Sequence, residues 1–402
     1  MPLLPMRSLS VFALALLVAC GSDGGDERDK RQGRAGREPR SASAAPPSTA
    51  APPSTATSTS TPLPSPTPAA TTRPRGLFAV LEWGEQAKDE TWQNPNVDGV
   101  VVRAYWRDLN PERGKYDWKT FDAAVEAAAK HGKRARFIVA PGFYSPHYVL
   151  SDPAVKQATF TVPQGPLAEK ERSLPLPWDD AYLSAWFTFI DQLAARYRDN
   201  PAFAYVSATG PNSHNGEISL PREPSDEKTW KTLGTPDELE QRMLGAWEKT
   251  FRRYCAAFTG KHFTLAIISE ALPGHSKDDR KSYQEKLAKL GAETCPAGFG
   301  LQNNGLDGRP VQLDLKPLPA WDLIESYSGK ILTGFQTRTR ANLYHCKRSG
   351  RDCEGDKLAI FEQALKNGLS RKASFLEIYE KDLADPELKL LLYSAHAELH
   401  AR

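Results

Sequence analysis

Four glutamates stand at or just beyond short runs of β-branched and aromatic residues: Glu82, Glu217, Glu270 and Glu377. A carboxyl held at such a place can give up a proton, take one, or attack an electrophilic carbon, and two of them in unlike surroundings divide those roles. Glu217 and Glu377 lie in segments rich in Asn, His and Tyr, with Asn212 and His214 near the first and Tyr379 beside the second. They are therefore the expected pair, with Glu270 the stronger spare ahead of Glu82. The plain alternative for each is a structural ion pair with an arginine such as Arg103 or Arg338. The segment from Leu81 to Gln86 lacks the glycines of a phosphate-binding turn, so nucleotide chemistry is not indicated. No Cys-x-x-Cys occurs and the cysteine spacing does not suit zinc, so neither a metal nor any other cofactor is expected.

The elements that must position these groups follow a regular alternation after residue 75. Strand-like runs fall at 77–83, 99–105, 134–140, 203–209, 263–269, 299–303, 331–335 and 374–379, and helix-period stretches at 118–131, 181–197, 238–258, 281–290, 357–369 and 387–399 separate many of them. Eight strand–helix units match an α/β (β/α)₈ (TIM) barrel, a fold of about 250 residues that grows by loop insertion. The long polar inserts at 144–180, 212–235 and 338–356 follow candidate strands three, four and seven, which places them on the C-terminal face where such barrels carry their sites.

Residues 1–75 have another character. Arg7 precedes an apolar run at 9–18 that is too short to span a bilayer and ends in Leu17, Val18, Ala19 and Cys20, so residues 1–19 are expected to be an export signal. The ending resembles a bacterial lipobox, which implies a lipid on Cys20 and a folded part held outside the cytoplasm at the membrane surface. Residues 20–75 form a tract rich in charge, then in Pro, Ser, Thr and Ala. From residue 21 it holds no aromatic residue, no Ile, no Val and one Leu, Leu63, and is expected to serve as an extended tether. The barrel then occupies 76–402. In an exported chain the four later cysteines are expected to pair, Cys346 with Cys353 and Cys255 with Cys295. With 52 Lys and Arg against 49 Asp and Glu the balance is near neutral and without a basic stripe to track phosphates, so nucleic acid is not an expected partner. The chain is expected to be a monomer.

The most informative stretch is Trp106, Leu109, Pro111, Gly114, Tyr116, Asp117 and Trp118, running on to Asp122 and followed by Gly132, Lys133 and a third strand ending Ala140, Pro141, Gly142. It resembles the second β/α unit of clan A (β/α)₈ glycoside hydrolases, the β-galactosidase-like and xylanase-like barrels. The resemblance implies a glycosidase acting on an oligo- or polysaccharide through two carboxyl groups, and with the lipobox-like ending an extracytoplasmic one. It places an acid/base Glu at the end of the fourth strand, for which Glu217 is the nearest candidate, and a nucleophile at the end of the seventh. There this chain has Gln336, so Glu377 is assigned as nucleophile or base. A sugar groove needs aromatic faces and amide donors, for which Trp83, Trp106, Tyr144, Trp178, Tyr379, Arg103, Asn212, His214, Asn303 and Gln336 are the candidates. Gln336 also motivates the alternative of a barrel that binds a glycan without cleaving it.

Overall fold

A computed structural model describes residues 73–163, 165–268, 272–275, 279–310, 316–346, 351–352 and 356–402. Cys20, the tether, Glu270 and Cys353 lie outside the described residues, and with Cys353 the expected Cys346 pairing. No described helix is long and apolar enough to cross a membrane.

Eight parallel strands close into one barrel: β1 (Gly76–Trp83), β2 (Gly99–Tyr105), β3 (Arg134–Ala140), β4 (Phe203–Ser207), β5 (His262–Ala266), β6 (Phe299–Leu306), β7 (Leu332–Thr337) and β8 (Phe375–Tyr379). Each pairs with its sequence neighbours, and β8 closes on β1 with Gly76 opposite Phe375 and Phe78 opposite Glu377. The expected (β/α)₈ fold is present, with all eight expected runs as its strands. Their apolar character is nearly continuous because parallel strands in this architecture are covered on both faces. Odd residues of β1 (Leu77, Ala79, Leu81) join the outer core under the helices, while Phe78 and Val80 join Val101, Ile138, Ala204, Tyr205, Leu332 and Phe375 inside the barrel.

Seven longer helices form the outer ring: α1 (Lys119–Lys130), α2 (Asp180–Tyr197), α3 (Pro236–Ala257), α4 (Asp279–Thr294), α5 (Pro319–Tyr327), α6 (Lys357–Ser370) and α7 (Lys389–His400). Helix α1 buries Phe121, Ala124, Val125 and Ala128, the stripe that an amphipathic helix turns to its sheet. The start of α3 is fixed by a capping box between Thr235 and Glu238 with Pro236 in the first turn. At the start of α2, Asp179 accepts the Tyr182 N–H at 2.9 Å. Cys255 in α3 and Cys295 just beyond α4 are joined by a disulfide, as expected. Helix α5, which separates β6 from β7, is an addition to the sequence reading. Between β1 and β2 there is a five-residue helix, Asp89–Gln93.

The insert after β3 folds into an antiparallel hairpin of Gln157–Thr161 and Glu171–Pro175. The segment after β2 differs from expectation in one respect. Trp106 is fully buried, its ring 4.9 Å from that of Trp186 and close to Tyr182 and Phe189 of α2. It packs the loop against that helix and does not present a stacking face to a ligand.

Candidate active site

The carboxylates are placed by two unlike devices. The first is a loop that leaves β4 and turns back over the barrel. Gly210 begins the turn at φ +138°, where an added Cβ would lie 2.7 Å from the Trp186 indole nitrogen, so glycine is required by both conformation and space. Asn212 accepts the Gly210 N–H at 2.8 Å and donates to the Asn215 carbonyl, which tightens the turn. The returning arm then joins the end of β5: Glu217 forms a parallel bridge with Ala266, and Ile218 N–H donates to the Ala266 carbonyl at 3.1 Å. Asn215 receives the Glu217 N–H through Oδ1 at 2.9 Å and donates Nδ2 to Glu217 Oε2 at 3.0 Å. The net effect is a half-buried carboxylate fixed at the mouth of the barrel.

The second device is a polar layer sealed inside the barrel. Arg136 of β3 and Glu377 of β8 are fully buried and paired at 2.9 Å. Tyr205 donates its hydroxyl to Glu377 Oε1 at 3.0 Å, and Gln302 donates Nε2 to Oε2 at 2.6 Å. The Arg136 guanidinium also donates to Ser207 Oγ at 2.6 Å and Gln302 Oε1 at 3.0 Å. Burial pushes the Glu377 carboxyl above the usual carboxylate range, while Arg136, Tyr205 and Gln302 pull it back. Burial, together with the Glu377 charge, pushes the Tyr205 phenol well up, so it remains a donor.

Above this layer, at the C-terminal mouth, lies a cavity of about 670 Å³ whose wall includes Glu82, Trp83, Arg103, Glu217, Gln336 and Tyr379. That volume lies in the range of small-molecule binding sites. One side is aromatic: the Trp83 and Tyr105 rings stack at 4.9 Å, and Tyr144 lies 4.1 Å beyond Tyr105. Arg103 is clamped between Trp83 and Tyr379, its guanidinium carbon 5.0 and 5.5 Å from their ring centres, and donates Nε to the Leu81 carbonyl at 2.6 Å. Its other arm reaches Glu82 at 3.4 Å. Burial pushes the Tyr144 phenol up to about 12 and raises that of Tyr379, which Arg103 lowers and the charges of Glu217 and Glu82 raise further. Both carboxylates are thus within electrostatic reach of one protonated phenol. Gln336 donates to the Tyr379 oxygen at 3.4 Å.

Among the candidate residues, Glu82, Trp83, Arg103, Tyr144, His214, Glu217, Asn303, Gln336 and Tyr379 line this cavity. The others lie elsewhere. Glu377 is sealed beneath the cavity with both oxygens engaged by Arg136, Tyr205 and Gln302. Asn212 is buried and serves the turn. Trp178 sits near Trp230 under the Arg242 guanidinium, on a separate cleft with Lys156 and Lys249. Asn303 reaches the wall, but its amide is engaged by Ile267, Gly305 and Trp321. His214 is buried, which pushes its imidazole down to about 4, so at neutral pH it is uncharged.

Tyr105, Asn215 and Arg338 of the cavity wall were absent from the candidate set, as was Arg136 below it. Arg136 carried a readable signal: in a strand whose odd positions Ala135, Phe137 and Val139 are apolar, a charged residue in the alternate register points into the barrel.

No family model matches the sequence, and no curated protein matches it. Among solved structures, the catalytic domain of β-amylase from Paenibacillus polymyxa superposes with a TM-score of 0.50 at 11% identity, over 82% of this chain and 100% of that one. At this identity the likeness is one of fold. The β-galactosidase of the psychrophilic Marinomonas ef1 gives 0.47 at 11% identity over 76% of this chain and 54% of its own. Xylanase B of Clostridium stercorarium F9 gives 0.44 at 12%, over 76% and 86%. The fold of this chain is similar to that of the β-amylase domain, and its cavity lies at the C-terminal face, where (β/α)₈ barrels carry their sites.

Proposed function

We propose that the chain is an extracytoplasmic glycoside hydrolase acting on an oligo- or polysaccharide at the C-terminal mouth of its barrel. The observation that carries this reading is the cavity itself: an aromatic wall in which Trp83 stacks on Tyr105 and Tyr144 lies tilted beside it, lined also by a carboxylate, Glu217, that a dedicated loop returns over the barrel to present. With Tyr105 and Arg103 against the Trp83 ring, the wall offers aromatic edges and phenol hydroxyls for apolar sugar surfaces to pack against, and amide and guanidinium groups at its rim bind hydroxyls.

In this reading Glu217 protonates the leaving oxygen. Its partner is Glu82, which ends β1 and so stands across the ring from the β5 end where Glu217 is bridged. Glu82 attacks the anomeric carbon or activates water, Arg103 steadies its charge, and Tyr379, on the neighbouring strand β8, donates to the substrate. Glu377 acts as a positioning residue, holding Arg136, Tyr205 and Gln302 as the cavity floor; Gln302 in turn donates to Asn304 on the wall at 2.9 Å. Cys20 carries a lipid that tethers the protein outside the cytoplasm, in keeping with the Cys255–Cys295 disulfide. Cys20→Ser is expected to move the protein from the membrane fraction to the soluble one.

The test is release of reducing ends from a panel of oligosaccharides. Glu217→Gln is expected to lower turnover by about 10²–10⁴-fold with substrate affinity kept. A second reading, a glycan-binding barrel without turnover, is favoured by Gln336 at the end of β7 and the enclosure of Glu377. It predicts saturable binding that Trp83→Ala abolishes, and no hydrolysis of any member of the panel.

A further inference from the structure

At the opposite end of the barrel, where β1 begins and the chain ends, three side chains converge. His396 and His400 stand one turn apart on α7, and Asp98 immediately precedes β2. His400 Nε2 lies 2.9 Å from Asp98 Oδ1 and His396 Nε2 lies 3.4 Å from Oδ2, with the two imidazole rings 4.4 Å apart. One donor atom from each residue falls within 4.8 Å of the others. We propose that Asp98, His396 and His400 form a binding site for a borderline divalent transition metal, with Zn²⁺ as its representative.

The spacing carries the proposal. Nitrogen and oxygen donors sit about 2.0–2.2 Å from zinc, so two ligands of a tetrahedral ion are separated by roughly 3.4 Å. The His396–Asp98 separation of 3.4 Å matches that value and the His400–Asp98 separation of 2.9 Å falls short of it, so a small rotation of the His400 ring admits an ion between them. Two histidines four apart on a helix direct both rings to one side, as a metal requires. The third donor is held in place independently: Asp98 Oδ2 accepts the Leu77 N–H at 2.8 Å, which orients the carboxylate from behind. Its seat depends on Gly76, since a Cβ there would stand 1.9 Å from that same oxygen. Lys133, the nearby cation, is turned away to the Asn94 and Val97 carbonyls.

The donor set gives the class of ion. Two imidazoles and one carboxylate suit zinc, cobalt, nickel or copper, whereas magnesium and calcium want oxygen donors alone. His400 is nearly half exposed, so the site opens to solvent and water completes the shell. A bound ion would fasten the last helix to the junction of the first two strands, at the seam where the barrel's beginning and end meet.

The test uses the tag-free full chain, titrated with Zn²⁺ by calorimetry and with Co²⁺ by visible absorption. One ion per chain is expected, with the absorption of a tetrahedral cobalt site and a rise in melting temperature on adding zinc. His400→Gln, at an exposed position that leaves packing intact, and His396→Gln are each expected to weaken binding by about 10–100-fold. Absence of saturable binding by the unaltered chain, or variants that bind as tightly as the unaltered chain, would overturn the proposal. The glycosidase reading is independent of either outcome, because the cavity lies at the other end of the barrel.

Discussion

A glutamate's neighbours decide what it can do. Glu217 and Glu377 were equal candidates in the sequence, since both sit among Asn, His and Tyr. The fold separates them by burial: one reaches the cavity, the other is enclosed against Arg136. Removing one partner from a buried pair leaves an uncompensated charge, so Glu377→Gln is expected to cost about 3–5 kcal/mol in urea unfolding. A double variant with Arg136→Met and Glu377→Leu is expected to be less destabilised than the sum of the two single changes, because neither charge is then left alone. That distinction was not legible in the sequence, because the charge that neutralises Glu377 comes from a residue 241 positions away. The aromatic candidates divided for a similar reason: Trp83 and Trp106 both follow strand runs, but only Trp106 has α2 packed over its ring.

The elements were far more legible than the site. Eight β-branched runs gave eight strands because a parallel barrel buries both faces of every strand, which writes an unbroken apolar signal. Helix α5 was less visible: it has only nine residues and follows the 311–315 segment, without a long periodic stripe. The returning loop after β4 could be guessed only as a possibility, since its shape depends on Gly210 meeting Trp186 and on a bridge to β5. At this scale the disulfide between α3 and the end of α4 closes a separation of 40 residues. Cys255→Ser with Cys295→Ser is expected to lower unfolding free energy by about 2–4 kcal/mol, read from denaturant midpoints. Thr235→Ala, which removes half of the α3 capping box, is expected to cost about 1 kcal/mol in the same measurement.

For the whole molecule, two buried histidines set an acid limit. His214 in the cavity wall and His262 at the start of β5 are both pushed down to about 4, in each case chiefly by burial. The unfolded chain takes up these protons near the ordinary value of 6.5, the folded chain only near 4, so the unfolded state binds more protons in between. Their contribution to stability is therefore full above pH 6.5 and falls as pH drops towards 4. Among the described residues His262 has no hydrogen-bond partner for either ring nitrogen, and His262→Leu is expected to flatten that slope in melting temperatures taken across the range. The central claim concerns the aromatic cavity with Glu217 on its wall. The measurement that tests it most directly is reducing-end release from an oligosaccharide panel by the unaltered chain and by Glu217→Gln, side by side. The account predicts turnover of at least one oligosaccharide by the first and a loss of about 10²–10⁴-fold in the second. Equal turnover by the two would contradict the role of Glu217, and no turnover of any bound sugar would contradict hydrolysis itself.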